Sequence, residues 1–199
     1  LDVVNYVLQT DALLLNGYTP KWVEEKIEFE DAENNIYYNG QIDRVSFPAA
    51  GDTCVIIDYK TNNMPTYSSY GKKNSSVEEI ELTDFQIPMY IFLAESKLKK
   101  DLKKETESFE TIEHAWFLSF VQQKINKVVN DNEAIPVTRS GSERTREDFQ
   151  SSIDAFINEA ERFAEQVKAQ DFTKPSTLSF ETCSTCGFKH ICRTAYSVK

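Results

Sequence analysis

Two neighbouring segments of aromatic and β-branched residues, 36–47 and 53–60, constrain the fold of this chain more than any other sequence feature. Their composition is typical of strands, and the turn-forming residues PAAGD between them favour a direct connection. A looser alternation over 21–30 predicts one more strand before them. The sequence therefore predicts a β-meander near the start of the chain.

Helices are predicted on both sides of this meander. Apolar residues recur at helical spacing over 2–15 and again over 145–170. Between them, Thr83 and Gln86 have the spacing of a capping box at the start of a helix that we expect to reach about Lys99. On the last helix, the residues expected to face the core are Phe149, Ile153, Phe156, Ile157, Ala160, Phe163, Ala164 and Val167.

The remaining segments complete an α/β pattern. Residues 112–121 predict a further strand and residues 124–137 a weaker strand pair. Residues 61–80 are polar and without a period, so we expect an exposed, flexible loop there. The order of elements predicts an α/β fold with a small mixed sheet at its centre and helices around it.

Composition limits the possible functions. The chain has 199 residues, 40% of them hydrophobic, and a formal net charge of −10. A broad basic surface for coating nucleic acid is therefore not expected, although a local groove or a carboxylate metal site remains possible. Neither a membrane-spanning run nor a leader is recognisable, so we expect a cytoplasmic protein without a membrane partner. The initial Leu1 suggests a piece of a longer protein.

Two acids and a lysine form the most informative constellation. Asp58 and Lys60 lie two residues apart at the end of a predicted strand, so both side chains point to one face. Asp43 lies on the preceding strand and converges on the same point if the two strands pair. Carboxylates of this kind bind Mg²⁺, and a neighbouring lysine can hold an attacking water or neutralise charge on a phosphodiester. The alternative is a pair of strand-end carboxylates bridged to Lys60 or Arg44.

The segments GQIDRV, VIIDYKT and QIPMY occur here in the order seen in RecB-type nucleases of the PD-(D/E)xK superfamily, which they resemble. That group includes the nuclease domains of AddAB and RecBCD helicase–nucleases and a CRISPR adaptation nuclease. The resemblance covers roughly residues 20–95, and residues 180–193 for a group of cysteines described below. It implies a restriction-endonuclease-like core, with a central mixed sheet flanked by helices, that hydrolyses DNA with Mg²⁺ or Mn²⁺.

The resemblance also implies roles for individual residues. Asp43 and Asp58 would bind the metal together with the backbone carbonyl of Tyr59, and Lys60 would be catalytic alongside the two acids. Gln86 and Tyr90, one helical turn apart, would lie at the edge of the active site and contact DNA. The alternative for this pair is that Gln86 completes the cap with Thr83 while Tyr90 packs on the sheet.

The histidines do not fit the pattern of the resembled nucleases. Those enzymes use a histidine from an upstream helix as a further metal ligand, whereas His114 and His190 both lie downstream. We therefore expect the corresponding histidine to lie before residue 1. On its own, this 199-residue chain is then expected to be of doubtful activity. His114 begins an apolar strand and is interpreted as structural. Glu24 or Glu25 on the acidic strand stays unassigned.

Three cysteines, Cys183, Cys186 and Cys192, cluster near the end of the chain with the spacing C-x₂-C-x₅-C. Thiolates this close favour a soft metal centre over a disulfide framework. The same spacing closes the nuclease domain of AddB-type proteins, so the resemblance implies a [4Fe–4S] cluster whose fourth cysteine lies upstream. Cys54, within the central strand, is interpreted as core. The alternatives are a zinc site that includes His190, and cysteines that are free or disulfide-bonded.

These observations predict a nuclease core over residues 1–172 and a cysteine-rich tail over 173–199. We expect the exonuclease part of a helicase–nuclease involved in DNA repair or recombination, with DNA and a helicase domain or subunit as partners. The rival hypothesis is a catalytically silent module that binds DNA or serves as a scaffold. The lysine-rich residues 97–104 are either a phosphate-binding patch or the solvated end of a helix.

Overall fold

The computed structural model describes residues 2–49, 54–61, 64–65, 67–73, 80–102, 112–130, 135–136, 143–144 and 146–171. The chain divides into two compact units, Leu1–Ala164 and Glu165–Lys199. The first unit holds the sheet and the candidate site. In the second, the described residues are the last four residues of a helix and the three residues after it.

The described elements include three α-helices, nine strands and a single 3₁₀ turn. In chain order they are α1 (Asp2–Leu14), β1 (Tyr18–Asp31), β2 (Ile36–Pro48), β3 (Cys54–Lys60), the 3₁₀ turn (Tyr67–Tyr70), β4 (Lys72–Lys73), β5 (Ile80–Glu81), α2 (Gln86–Leu102), β6 (Ile112–Ser119), β7 (Lys124–Asn130), β8 (Ile135–Pro136), β9 (Glu143–Arg144) and α3 (Arg146–Lys168). Among the described residues, no helix is both long and apolar enough to cross a membrane.

Five of the strands form one mixed sheet in the order β1-β2-β3-β6-β7. The pair β3–β6 is parallel and the other three pairs are antiparallel. Residues 54–57 of the central strand β3 are all almost fully buried, because both faces of the sheet are covered there. The α/β prediction, including the meander β1-β2-β3, is confirmed.

Each face of the sheet carries its own hydrophobic cluster. On one face, α2 and the first half of α3 pack against β1, β2, β3 and β6, with Ile56, Ile91 and Phe149 at the centre. On the other face, Tyr6 and Val7 of α1 pack against a smaller cluster that includes Ile57 and Trp116. The central strand therefore separates an α1 side from an α2 side.

The prediction of an exposed loop over 61–80 is wrong for Tyr70. Its side chain is fully buried, and its ring stacks against Phe117 at 6.5 Å between centroids. Its hydroxyl donates a hydrogen bond to Asp84 Oδ1 at 2.9 Å. Tyr70 lies in a polar segment without a periodic signal, but the free energy gained by burying its large ring outweighs the local polarity.

The predicted capping box at Thr83 and Gln86 is also wrong, since α2 begins at Gln86 itself. The cap is provided by Asp84, whose Oδ1 accepts a hydrogen bond from the Gln86 backbone N–H at 2.8 Å. Thr83 instead contacts the backbone carbonyl of Ser69. Pro88 lies in the first turn of α2, where its missing N–H has no cost.

Two further predictions need correction. The strands expected to pair within 124–137 do not pair with each other: β7 pairs with β6, and β8 pairs with β9. On α3, Phe163 is 62% exposed and Val167 43% exposed, so the predicted core face is buried only in its first half. The periodicity of a helix identifies one face but not how far along that face its packing partner extends.

Candidate active site

The candidate site lies where the pairing between β2 and β3 stops. The antiparallel register runs through Ser46↔Val55, Val45↔Ile56 and Arg44↔Ile57, and there it ends. The same register, continued by one residue, sets Asp43 opposite Asp58. Asp58 contacts Gln86 of α2, so this acid belongs to the α2 side of the sheet.

The Asp43 carboxylate replaces the backbone bond that β2 no longer supplies. Its Oδ2 accepts a hydrogen bond from the backbone N–H of Tyr59 at 2.8 Å. Asp43 as a whole is half-buried. The acid thus sits between the two diverging strands and is fixed by one of them.

A kink in β1 faces Asp43. Glu24 has φ = 51°, in the left-handed region that residues with a Cβ seldom adopt. From Trp22 to Asp31 the β1–β2 register is regular but omits the pair Glu24 and Asp43, and a separate register shift lies between Pro20 and Trp22. The residues of β1 that pack on the core therefore shift from even to odd positions, from Trp22 to Ile27, which accounts for the loose alternation of the sequence there.

Asp58 is the buried acid of the site, with only 2% of its surface exposed. Its Oδ1 accepts a hydrogen bond from Gln86 Nε2 at 2.6 Å. Burial raises the pKa of Asp58, and the neighbouring Lys60 ammonium opposes that rise. The negative charges of Asp43 and Asp84 add to this rise in the pKa of Asp58.

Gln86 joins the buried acid to the lysine through both ends of its amide. Its Nε2 donates to Asp58, and its Oε1 accepts from Lys60 Nζ at 2.7 Å. Lys60 Nζ also lies 2.8 Å from Asp58 Oδ2 and 5.3 Å from the centre of the Phe117 ring. These contacts hold an ammonium beside the two acids, with about a quarter of the lysine side chain still exposed.

Tyr90 lies one turn after Gln86, and its hydroxyl is 3.1 Å from Gln86 Nε2. The residue is 8% exposed and packs in the main hydrophobic cluster. Burial raises the pKa of its hydroxyl; the Gln86 hydrogen bond lowers it, and the charges of Asp58, Asp43 and Glu24 raise it further. The hydroxyl therefore faces the acids although the ring is buried.

Gly40, the glycine of GQIDRV, allows α2 to pack close to β2. A Cβ at Gly40 would lie 2.9 Å from Leu93 Cδ1 and 3.6 Å from Tyr90 Cε1. Both distances are at or inside ordinary van der Waals contact, so any side chain would press against the helix. The glycine allows β2 and α2 to approach closely enough for Tyr90 to reach the acids.

The donor set fits a hard divalent cation. Asp58 Oδ2 is buried and receives no hydrogen bond from a described residue, apart from its ion-pair contact with Lys60. Two carboxylates are sufficient for Mg²⁺, which keeps several of its waters in protein sites. Within the described ranges, however, no group of three or more His, Cys, Asp or Glu side chains is arranged to hold a metal.

Other predicted residues have different surroundings. Lys97 of the lysine-rich segment pairs with Glu25 at 2.9 Å and lies over the Trp22 ring, whereas Lys99 is exposed. Cys54 and His114 are buried in the sheet, as predicted for core residues. The cysteines expected to bind iron lie outside the described residues, together with His190: Cys183, Cys186 and Cys192.

Two residues around the site, Asp84 and Asp11, were not predicted, and Arg44 was predicted only as an alternative ion-pair partner of the acids. Asp84 caps α2 and accepts the Tyr70 hydroxyl, and the Arg44 guanidinium contacts Asp11 of α1 on the opposite face. The sequence signal for Arg44 was its place directly after Asp43. Asp84 had a local signal, as an acid of N-cap type two residues before Gln86; Asp11 had none, because its partner Arg44 is distant along the chain.

Comparison with known proteins gives one family match. The sequence model of the PD-(D/E)XK nuclease superfamily matches residues 3–193, almost the whole chain. A search of curated proteins gives no match.

Proposed function

The chain belongs to the PD-(D/E)XK nuclease superfamily, and on this premise we propose that it is a deoxyribonuclease that depends on Mg²⁺ or Mn²⁺. The observation that carries the proposal is the meeting of Asp43, Asp58 and Lys60 at the end of the β2–β3 ladder. The match to the superfamily supports nuclease chemistry. The choice of DNA and of these metals is part of the proposal.

Asp43 and Asp58 would hold the metal, and the carbonyl of Tyr59 between Asp58 and Lys60 would be a third oxygen. A bound divalent ion would acidify a water and offset negative charge on the phosphodiester. Asp58 Oδ2 has no competing hydrogen-bond donor among the described residues other than the ion-paired Lys60. The half-buried Asp43 leaves the site open to solvent and substrate.

Lys60 would act on the reacting phosphate. Its ammonium is fixed by Asp58 and Gln86, so its remaining donor capacity points away from these two partners. A cation held in this way can donate a hydrogen bond to the attacking water or to a phosphate oxygen, and it needs no reorganisation during the reaction. Gln86 would be the anchor that sets the distance between acid and lysine.

Gln86 and Tyr90 are proposed to border the DNA path. The Tyr90 hydroxyl points toward the acids, while its ring is held in the core. The net charge of −10 means that DNA would be attracted only by a local arrangement of cations such as Lys60. The proposed wider role, as the exonuclease part of a helicase–nuclease in repair or recombination, rests on the sequence resemblance alone.

The test is cleavage of labelled single- and double-stranded DNA with Mg²⁺ or Mn²⁺, by the chain and by two variants. Asp58→Asn and Lys60→Gln should each lower cleavage at least about a hundredfold, because each removes charge at the reacting phosphate. The matched controls are Asp154→Asn and Lys99→Gln, which make the same chemical changes at exposed positions on α3 and α2.

Full cleavage by Asp58→Asn would refute the proposed site. DNA binding without cleavage by the unaltered chain, at any concentration of Mg²⁺ or Mn²⁺, would favour the silent binding module instead. RNA cleavage in preference to DNA would retain the site and replace the substrate.

A [4Fe–4S] cluster at Cys183, Cys186 and Cys192 remains a separate proposal from the sequence. Such a cluster takes four protein ligands, one more than this motif supplies. Iron and acid-labile sulfide assayed after anaerobic purification test it, with Cys186→Ala as the variant. Bound zinc without sulfide would favour the alternative site that includes His190.

A further inference from the structure

We propose that Arg44 and Asp11 are positioning residues that hold Tyr59, and with it the active site, from the opposite face of the sheet. The inference rests on the proposed function, because it assigns a task to residues that do not touch the reacting groups. It concerns three side chains on the α1 side: Arg44 of β2, Tyr59 of β3 and Asp11 of α1.

Arg44 is a buried cation whose Nε and Nη1 both have hydrogen-bond partners. It is 6% exposed. Its Nε donates to Ser46 Oγ at 2.8 Å, and its Nη1 donates to both carboxylate oxygens of Asp11 at 2.8 and 2.9 Å. The same Nη1 lies 3.2 Å from the Tyr59 hydroxyl. A buried guanidinium fixed at this many points makes a rigid support.

Tyr59 needs such a support on its β2 side because the β2–β3 ladder has ended before it, while β3 stays paired with β6 through Tyr59↔Leu118 and Lys60↔Ser119. The last β2–β3 pair is Arg44↔Ile57, so Tyr59 receives no backbone partner from β2 in this register. Two side-chain bonds replace the missing ladder. Asp43 accepts the Tyr59 N–H on one face, and Arg44 donates to the Tyr59 hydroxyl on the other.

The ring of Tyr59 is also fixed on its flat side. It stacks on Phe120, with centroids 5.3 Å apart and planes 16° from parallel. The Phe120 backbone N–H donates to the carbonyl of Lys60 at 3.0 Å. The ring, the backbone of Lys60 and the Asp43 carboxylate are thus connected through Tyr59, which lies between the acid and the lysine of the site.

Asp11 makes this arrangement depend on α1. Without its carboxylate, the Arg44 charge would be buried with only neutral partners, which is costly. Among the described residues that contact the Arg44 side chain, only Asp11 is negatively charged, while Tyr59 and Ser46 contribute hydroxyls. Docking of α1 on the sheet is therefore required for a well-placed Tyr59.

Tyr59→Phe is the direct test, because it removes the hydroxyl and retains the stacked ring. We expect kcat for DNA cleavage to fall about tenfold with KM for DNA unchanged, since small displacements of a reacting geometry have effects of this size or larger. The dissociation constant for Mn²⁺, measured by electron paramagnetic resonance without DNA, should rise several-fold. The control is Tyr37→Phe, the same change at an exposed position of β2.

A second variant tests whether Asp11 acts through Tyr59. Asp11→Asn should lower kcat several-fold in the unaltered protein and have little further effect in the Tyr59→Phe background, because residues acting in series are not additive. Asp154→Asn is the matched control. If Tyr59→Phe proves too unstable to measure, Arg44→Lys replaces it, since one ammonium cannot reproduce the three contacts of the guanidinium.

The inference is overturned if Tyr59→Phe retains both the kcat and the Mn²⁺ affinity of the unaltered chain, or if Asp11→Asn and Tyr59→Phe have independent effects. A chain that binds Mn²⁺ but cleaves no DNA would refute the proposed nuclease function; the Mn²⁺ affinities of the variants would then still decide whether Arg44 and Asp11 position the site.

Discussion

Replacing Gly40 with alanine tests whether the close approach of β2 and α2 is essential to the fold. The added Cβ would lie 2.9 Å from Leu93 Cδ1 and 3.5 Å from Met89 Cε. Met89 is a flexible, partly buried side chain and can move. Leu93 is fully buried, so its methyl group can retreat only by disturbing its neighbours.

The expected cost is that of adding one methyl group to a packed core, about 1–3 kcal/mol in the free energy of unfolding. For a domain of this size, each kcal/mol lowers the melting temperature by about 2–4 °C. The same push on α2 should displace Tyr90, so cleavage per folded molecule should also fall. Urea denaturation followed by circular dichroism measures the first effect.

A double mutant identifies the cause. Leu93→Val removes the methyl group that the new Cβ meets, so Gly40→Ala should cost at least about 1 kcal/mol less in that background. Gly17→Ala is the contrasting control: Gly17 has open space around it but φ = 86°, so its cost of about 1–2 kcal/mol comes from the backbone. That cost should not change with Leu93→Val. A loss below about 0.5 kcal/mol for Gly40→Ala, or no coupling to Leu93, would refute the packing argument.

Three further outcomes are expected. Burial raises the pKa of Asp58, and an acid whose pKa is higher in the folded chain lowers stability above that pKa but not at pH values where it is protonated in both states. Asp58→Asn should therefore raise the metal-free free energy of unfolding at pH 7, and this gain should shrink as the pH falls through the raised pKa. A gain that grows on acidification would contradict this. Phe149→Ala should cost about 3–5 kcal/mol and Phe163→Ala less than about 0.5 kcal/mol in urea titrations, because the first ring is fully buried and the second is 62% exposed. Asp84→Ala should lower the free energy of unfolding by about 1–2 kcal/mol through loss of the α2 cap. Thr83→Ala should leave the melting temperature nearly unchanged. Equal losses for the two variants would identify Thr83 as the cap.

The order of strands in the sheet illustrates how far local sequence reaches. Alternation and β-branched composition predict β2 and β3, and the short link between them predicts that they pair. The parallel pairing of β3 with β6 has no local signal, since more than 50 residues separate the two strands. Which strand pairs with β7 is equally undetermined by the residues of β7 itself.

Side-chain partners in the site follow the same division. The common face of Asp58 and Lys60 follows from the two-residue period of a strand, a property of the backbone alone. The bonds that Gln86 makes to both residues were not predictable, because they depend on the placement of α2 across the sheet. The local sequence pattern instead predicted Thr83 as the partner of Gln86, in a capping box.

The amino-acid sequence by itself therefore determined the element types, the strand face that carries the two acids and the lysine, and the family resemblance. Tertiary structure alone decided that Arg44 pairs with Asp11 instead of an acid of the site, that Tyr70 is buried, and that Phe163 is not. The physical reason is that periodicity records which way a side chain points relative to its own backbone. What it meets there depends on residues far away in the chain, brought close only by the packing of helices on the sheet.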